Sequence, residues 1–147
     1  MRVLAILITV ILFGLVRPGL AEQSAYHAPN GVALQGYDTV AYFTRHEATR
    51  GHSDKKIMWK GAIWYFASTE NLQKFEANPR AYAPRYGGHC AYGVSRGLLV
   101  SGDPHSWQIV GGRLYVMHDE RILREWSQET EANIQKANLN WPALYKR

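Results

Sequence analysis

The residue with the most distinctive chemistry in this chain is Cys90, the single cysteine among 147 residues. A free thiol can bind a soft metal, act as a redox centre, or pack as a small apolar side chain in the core. The glycines around it, Gly87, Gly88 and Gly93, permit positive φ and close backbone approach. Because one thiol cannot form an intramolecular disulfide, the sequence leaves Cys90 ligated, reactive, paired with another molecule, or buried and inert.

We expect any functional site to lie around the loop of residues 86–93, close to Asp38 and the turn at Asp103–Pro104. His89 is the candidate second ligand beside Cys90 for a soft transition metal such as copper. Adjacent side chains on a strand point to opposite faces, and no two histidines have the spacing of a known ligand motif. The candidate ligand-binding residues are Cys90, Tyr86, Gly87, Gly88, Tyr92, Asp38 and Asp103.

No established catalytic motif accompanies this loop. The sequence contains no G-x-S-x-G, Walker-type or dinucleotide-binding string. Whether the chain is an enzyme therefore stays open, and three functions remain. It is a binding module for a metal ion or small ligand near Cys90, a thiol redox enzyme that uses Cys90, or an interaction module in which the cysteine is buried and inert.

Residues 1–21 have the pattern of a signal peptide. Arg2 supplies a positive start, the run from Val3 to Val16 is almost wholly apolar, and small residues precede a cleavage site near Ala21. The alternative is a permanent anchor, but the apolar run is shorter than the roughly 20 residues that span a bilayer core. We expect cleavage and a periplasmic or secreted protein that is not an integral membrane protein.

The charge of the chain does not indicate a nucleic-acid-binding protein. Loss of Arg2 and Arg17 with the signal peptide leaves 15 basic residues against 12 acidic ones. The basic residues are scattered rather than clustered, which is typical of a mixed, solvated surface. They include Lys55, Lys56, Lys60, Arg80, Arg85, Arg96 and Arg113.

Apolar alternation predicts two β-hairpins, at residues 57–66 and 107–117, each with glycine at its turn. Ser68 is a predicted N-cap of a helix that extends to Ala77. A helical tail follows the second hairpin from about Ile122. The pattern indicates an α+β domain of small antiparallel hairpins packed with short helices.

Finer features complete this assignment. We predict a short helix at residues 79–82, a break in the tail near Ser127, and an end to the tail at residues 140–142. Residues 22–30 are polar and predicted to be a loose arm, followed by a single domain at residues 31–147. The predicted core contains Trp59, Trp64, Phe66, Leu72, Phe75, Trp107, Ile109 and Trp126.

The segment of residues 59–82 resembles the YHS domain, a small metal-associated module. Residues 37–41 resemble that module's Asp-Pro-Val-Cys-Gly segment, and further matches lie at Tyr65–Phe66, Ser68, Phe75, Pro79 and Tyr82. The module's three metal-binding cysteines fall on Ala41, Ala67 and Asn71. The resemblance therefore implies a retained scaffold whose usual metal site is lost, so any soft-metal binding should depend on Cys90.

Residues 31–142 resemble a longer group of exported bacterial proteins with a YHS domain. The shared motifs are G-Y-D-x-V-A-Y-F, Y-G-G-x-C-A, D-P-x-x-W and N-W-P, which begin here at Gly36, Tyr86, Asp103 and Asn140. The resemblance implies a YHS-like module extended by a C-terminal hairpin and helices. Some members are described as selenoproteins with selenocysteine in the middle motif, which implies redox or soft-ligand chemistry at Cys90.

Overall fold

Two β-hairpins, each followed by helices, form the framework of residues 24–145, the part of the chain that this computed structural model describes. The first hairpin pairs β1 (His52–Trp59) with β2 (Ala62–Phe66), and the second pairs β3 (Asp103–Val110) with β4 (Arg113–Met117). Both pairs are antiparallel, with turns at glycines of positive φ. The α+β class and the two predicted hairpins are confirmed.

The α-helices of the described residues are short except for the last. They are α1 (Ala41–Thr44), α2 (Thr69–Ala77), α3 (Pro79–Tyr82), α4 (Ala91–Ser95), α5 (Glu120–Gln128) and α6 (Thr130–Tyr145). The predicted cap Ser68 accepts a hydrogen bond from the Asn71 N–H at 3.1 Å, and Asp119 caps α5 in the same way through Ile122 at 2.7 Å. These caps satisfy N–H groups that have no partner within the helix.

The end of the helical tail differs from the prediction. We expected Pro142 to terminate it, but α6 continues through Pro142 to Tyr145. Proline removes one N–H donor and so costs most in a helix interior. Here only one turn lies beyond it, and that turn is anchored by the buried side chain of Leu144. The packing of Trp141 against Tyr86, with ring centroids 5.8 Å apart, also holds the segment in place.

Strand β4 separates two clusters of buried side chains. Leu114 and Val116 face the first cluster, whereas Tyr115 and Met117 face the second, as the alternation of a strand requires. Of the predicted core, Trp64, Phe66, Phe75 and Trp126 are fully buried, and Trp59, Leu72, Trp107 and Ile109 pack at the edge of the first cluster. Trp126 lies in the second cluster, so the predicted single core is divided by a shared strand.

The N-terminal segment of residues 24–30 has irregular backbone but is packed onto the domain. The Tyr26 ring packs against those of both Trp59 and Trp64, with centroid distances of 5.3 and 4.9 Å. The His27 N–H donates to the Gly87 carbonyl at 2.7 Å. We predicted a loose arm, and the arm as described is instead part of the first cluster's surface.

The predicted signal peptide, residues 1–21, lies outside the described residues. Across residues 24–145, no helix combines the length and apolar character needed to cross a membrane.

Candidate functional site

The side chain of Asp38 joins three segments at the centre of the first cluster. It is 0% exposed. Its Oδ1 accepts from the backbone N–H groups of Val40 and Ala41 at 2.9 and 3.3 Å. Its Oδ2 accepts from the Ala67 N–H at 2.8 Å and from the Asn71 side-chain amide at 2.7 Å. Four donors therefore satisfy this buried carboxylate, which fixes the start of α1 against β2 and α2.

Ala41, Ala67 and Asn71 are the positions on which the resemblance places the metal-binding cysteines of the YHS module. All three donate to the Asp38 carboxylate, so they converge on one point of the fold. Here a carboxylate and an amide meet at that point, and none of the three side chains supplies a thiolate. Within residues 24–145, no group of three His, Cys, Asp or Glu side chains is placed to hold a metal ion. The residues present do not fit the module's thiolate site.

Cys90 lies at the start of α4 inside the second cluster and is only 2% exposed. Its Sγ accepts from the Gly93 N–H at 3.4 Å and so occupies the N-cap position of α4. Burial raises the pKa of the Cys90 thiol, although backbone N–H groups, that of Gly93 first, oppose the shift. A buried, protonated thiol is both a poor nucleophile and a poor metal ligand.

His89, the predicted metal partner of Cys90, packs against the arm. Its ring centroid lies 4.9 Å from that of His27 and 6.2 Å from that of Trp141. Burial lowers the pKa of both histidines, and the proximity of His27 lowers the pKa of His89 further. Both imidazoles are therefore neutral at pH 7.

The glycine-rich loop before Cys90 is a left-handed turn. Tyr86, Gly87 and Gly88 have φ angles of 54°, 62° and 77°, and Tyr86 adopts this conformation despite its side chain. A Cβ on Gly87 would lie 2.5 Å from the Ala25 carbonyl oxygen. The close backbone approach that the glycines permit is therefore made by the chain's own N-terminal arm. A strained non-glycine residue such as Tyr86 is typical of functional sites.

A cavity of about 410 Å³ opens beside this turn, between the arm, α3, β4 and the end of α6. Three arginines line it, namely Arg80, Arg85 and Arg113. Its aromatic walls are the side chains of Tyr26, Tyr86, Trp141 and Tyr145. We call this space the arginine cavity. Its volume lies in the range typical of small-molecule sites, roughly 300–1,000 Å³.

Among the described residues, the three arginines of this cavity have no carboxylate partner. Within residues 24–145, none of them forms an ion pair. The Arg113 guanidinium donates instead to the Arg80 carbonyl at 3.4 Å, and that of Arg85 donates to Asn138 Oδ1 at 3.4 Å. Their three positive charges are therefore available to water or to a bound anion.

The phenol groups of Tyr26 and Tyr86 remain protonated at neutral pH. Burial raises the pKa of Tyr26 to about 12, aided by Tyr145 and opposed by Arg80 and Arg85. Burial likewise raises the pKa of Tyr86 to about 12. The Tyr86 hydroxyl donates to Asn138 Oδ1 at 3.0 Å. These two walls are thus uncharged, and neither Tyr26 nor Tyr86 offsets the positive charge of the arginines as a tyrosinate.

Only part of the predicted site converges on this cavity. Tyr86 and Gly87 line it, and Gly88 packs beneath Pro84 and Leu34. Tyr92 lines a different cavity beside Arg96, Asp38 caps α1, and Asp103 accepts from the His105 N–H at 2.9 Å in its own turn. Cys90 and Asp38 are buried away from the arginine cavity.

The arginines and most aromatic walls were missed by sequence reasoning. Arg80, Arg85 and Arg113 are far enough apart in sequence to look like scattered surface charge, and the packing of β4 against α3 and against residues 85–88 brings them together. One signal was present: Arg80 and Arg85 each follow a proline directly, at Pro79 and Pro84, in a segment of fixed backbone.

One of three comparisons with known proteins gives a match. The family model of the YHS domain matches residues 40–86. Neither the curated proteins nor the solved structures include a significant match to the chain. The matched segment contains Arg80, Arg85 and Tyr86, whereas the arm, Arg113 and Trp141 lie outside it, so the cavity is formed where the two parts meet. Residues 40–86 of this chain form a YHS domain.

Proposed function

We propose that this protein is an exported binding module for a small anionic ligand, and that the ligand binds in the arginine cavity. The observation that carries the proposal is the convergence of three unpaired guanidinium groups on one aromatic-walled cavity. The sequence predicts a binding module with its site near Cys90. This proposal keeps the binding module but places its site in the arginine cavity, which Tyr86 and Gly87 line.

Guanidinium groups are suited to carboxylates and phosphates because their planar N–H donors match two oxygens at once. Arg80 and Arg113 lie close enough for the Arg113 side chain to reach the Arg80 carbonyl, and an anion between them would relieve their mutual repulsion. The three side chains are exposed, so water screens them in the absence of a ligand. Aromatic walls lower the local dielectric once a ligand excludes that water.

The burial of Cys90 supports a structural role for this residue rather than a redox or metal-binding one. A redox or metal-binding role needs a thiolate that reagents can reach, and the Cys90 thiol is buried with a raised pKa. We therefore propose that Cys90 acts as a packing and capping residue. Binding of copper at Cys90 and His89, and redox chemistry at Cys90, stay predictions from the sequence.

Export is part of the proposal and has its own test. Expression of the full chain in a Gram-negative host, followed by fractionation and intact-mass measurement, should give a periplasmic protein that begins near Glu22. A cytoplasmic protein that retains residues 1–21 would contradict export without affecting the binding proposal.

Titration of the purified protein with inorganic phosphate, followed by calorimetry or by amide NMR shifts, tests the binding function. Arg113→Ala and Arg85→Ala should each weaken binding about tenfold, since a charge-assisted hydrogen bond contributes roughly 1.5–3 kcal/mol. Arg124→Ala is the matched control, because Arg124 is exposed on α5 and pairs with Glu120. Equal weakening in all three variants, or no binding at all, would overturn the proposal.

A further inference from the structure

A second cavity adjoins the arginine cavity. Its volume is about 220 Å³, and it shares three lining residues with the first: Ala25, Trp141 and Tyr145. These three residues form a wall that both cavities share, and the arginines lie on the side of the first cavity. The two spaces therefore sit next to each other along the end of α6 and under the arm.

The second cavity differs in chemistry from the first, because it contains no arginine. Leu99 and Leu144 line it together with Trp141, and its other contributors include Ser24 and His89, whose imidazole is neutral at pH 7. Leu99, Leu144 and Trp141 thus supply an apolar patch beside the arginines, in a cavity whose lining is otherwise mainly polar.

One apolar lining residue of the second cavity is also open to solvent. Leu99 is 45% exposed. Covering of this side chain by a ligand would remove its apolar area from water.

We propose that the ligand is an amphipathic anion, with a carboxylate or phosphate head in the arginine cavity and an apolar body that passes Trp141 to reach Leu99. This inference rests on the proposed function, since it assumes that the arginine cavity holds the head. The size of the second cavity fits one aromatic ring or a short alkyl chain as the body.

The two parts of the ligand should contribute separately to affinity. The head alone, as inorganic phosphate, should bind weakly through the arginines. Addition of an apolar body should strengthen binding at least tenfold, because the body buries apolar area against Trp141 and Leu99. A neutral molecule with the same body, such as phenol, should bind more weakly than phenyl phosphate because it leaves the arginines unpaired.

Calorimetric titration of inorganic phosphate, phenyl phosphate and phenol against the folded protein tests this directly. Phenyl phosphate should bind at least tenfold more tightly than either of the other two. In Leu99→Ser the advantage of phenyl phosphate over phosphate should fall several-fold, whereas phosphate itself should bind as before. Leu139→Ser is the matched control, since Leu139 is 81% exposed on the same helix as Trp141 and lines neither cavity.

The outcomes separate the two proposals. If phosphate and phenyl phosphate bind with equal affinity, or if Leu99→Ser and Leu139→Ser behave alike, the amphipathic ligand is wrong while anion binding stands. If neither anion binds, the proposed function itself fails. Vesicles of phosphatidylcholine with and without phosphatidic acid distinguish a lipid source from a soluble one. Binding that needs phosphatidic acid and is weakened by Leu99→Ser assigns the anion to a lipid headgroup, and vesicle binding unaffected by Leu99→Ser contradicts the inference.

Discussion

Gly87 lies directly beneath the backbone of Ala25: a Cβ at position 87 would approach the Ala25 carbonyl oxygen to 2.5 Å. The His27 N–H donates to the Gly87 carbonyl at 2.7 Å on the same side of the turn. The arm and the glycine-rich turn are therefore joined backbone to backbone. Since Ala25 and Tyr26 line the arginine cavity, the absence of a side chain at Gly87 shapes the site.

Gly87→Ala should displace the arm and weaken binding of phosphate. The substitution combines a clash with backbone atoms and a φ of +62°, which together should cost about 2–3 kcal/mol of stability. Gly97→Ala is the matched control, because Gly97 has a φ of +77° but nothing within 4 Å of the added Cβ. Denaturant unfolding and phosphate titration should show a larger loss for Gly87→Ala in both measurements. Equal losses would mean that only backbone strain matters at Gly87.

Asp38→Asn should destabilise the fold strongly although the change in shape is small. An asparagine amide directs N–H donors at the donors that now bind the carboxylate, so at least one buried group loses its partner. We expect a loss of about 3 kcal/mol in the free energy of unfolding. Asp54→Asn is the control, since Asp54 is exposed and within residues 24–145 pairs only with Lys55, and its loss should be much smaller. Chemical denaturation of both variants measures the difference, and similar losses would contradict the role given to Asp38.

The sequence predicts the framework of this protein better than its site. The hairpin turns and the cap at Ser68 depend on local residue types, so pattern and turn chemistry were sufficient to identify them. The continuation of α6 past Pro142 depends on the tertiary packing of Leu144, which overrides the local preference of proline. The arginine cavity could not be predicted for the same reason, since no sequence spacing relates Arg80 to Arg113.

The stability of the protein should fall on acidification below about pH 6.5. The pKa of His27 and that of His89 are both lowered from 6.5 in the folded state, chiefly by burial. The unfolded chain therefore binds more protons than the folded one as pH falls through 6.5, and protonation favours unfolding. Both side chains are only partly buried, so solvent screens them and the fall in stability should be gradual. Melting temperatures measured from pH 8 to pH 5 would show this fall.

Substitution of single histidines tests whether His27 and His89 cause the loss of stability in acid. His27→Gln should reduce the slope of stability against pH, because one titrating imidazole is removed, and with it the repulsion between two protonated imidazoles that lowers the pKa of His89. His52→Gln should leave the slope unchanged, since His52 is exposed on β1. If both variants retain the full slope, the sensitivity arises from other groups.

The Cys90 thiol should resist alkylation in the native protein and react rapidly once the protein is unfolded. It is 2% exposed, and burial raises its pKa, so both access and thiolate population are low at pH 7. Iodoacetamide labelling followed by intact mass, with and without guanidinium, measures the two rates. Because Sγ caps α4, Cys90→Ser should be more stable than Cys90→Ala by about 1 kcal/mol, while phosphate binding should be the same in both. Native labelling as fast as that of the unfolded chain would show that the thiol is reached from solvent, and it would restore Cys90 as the leading candidate for redox or copper chemistry.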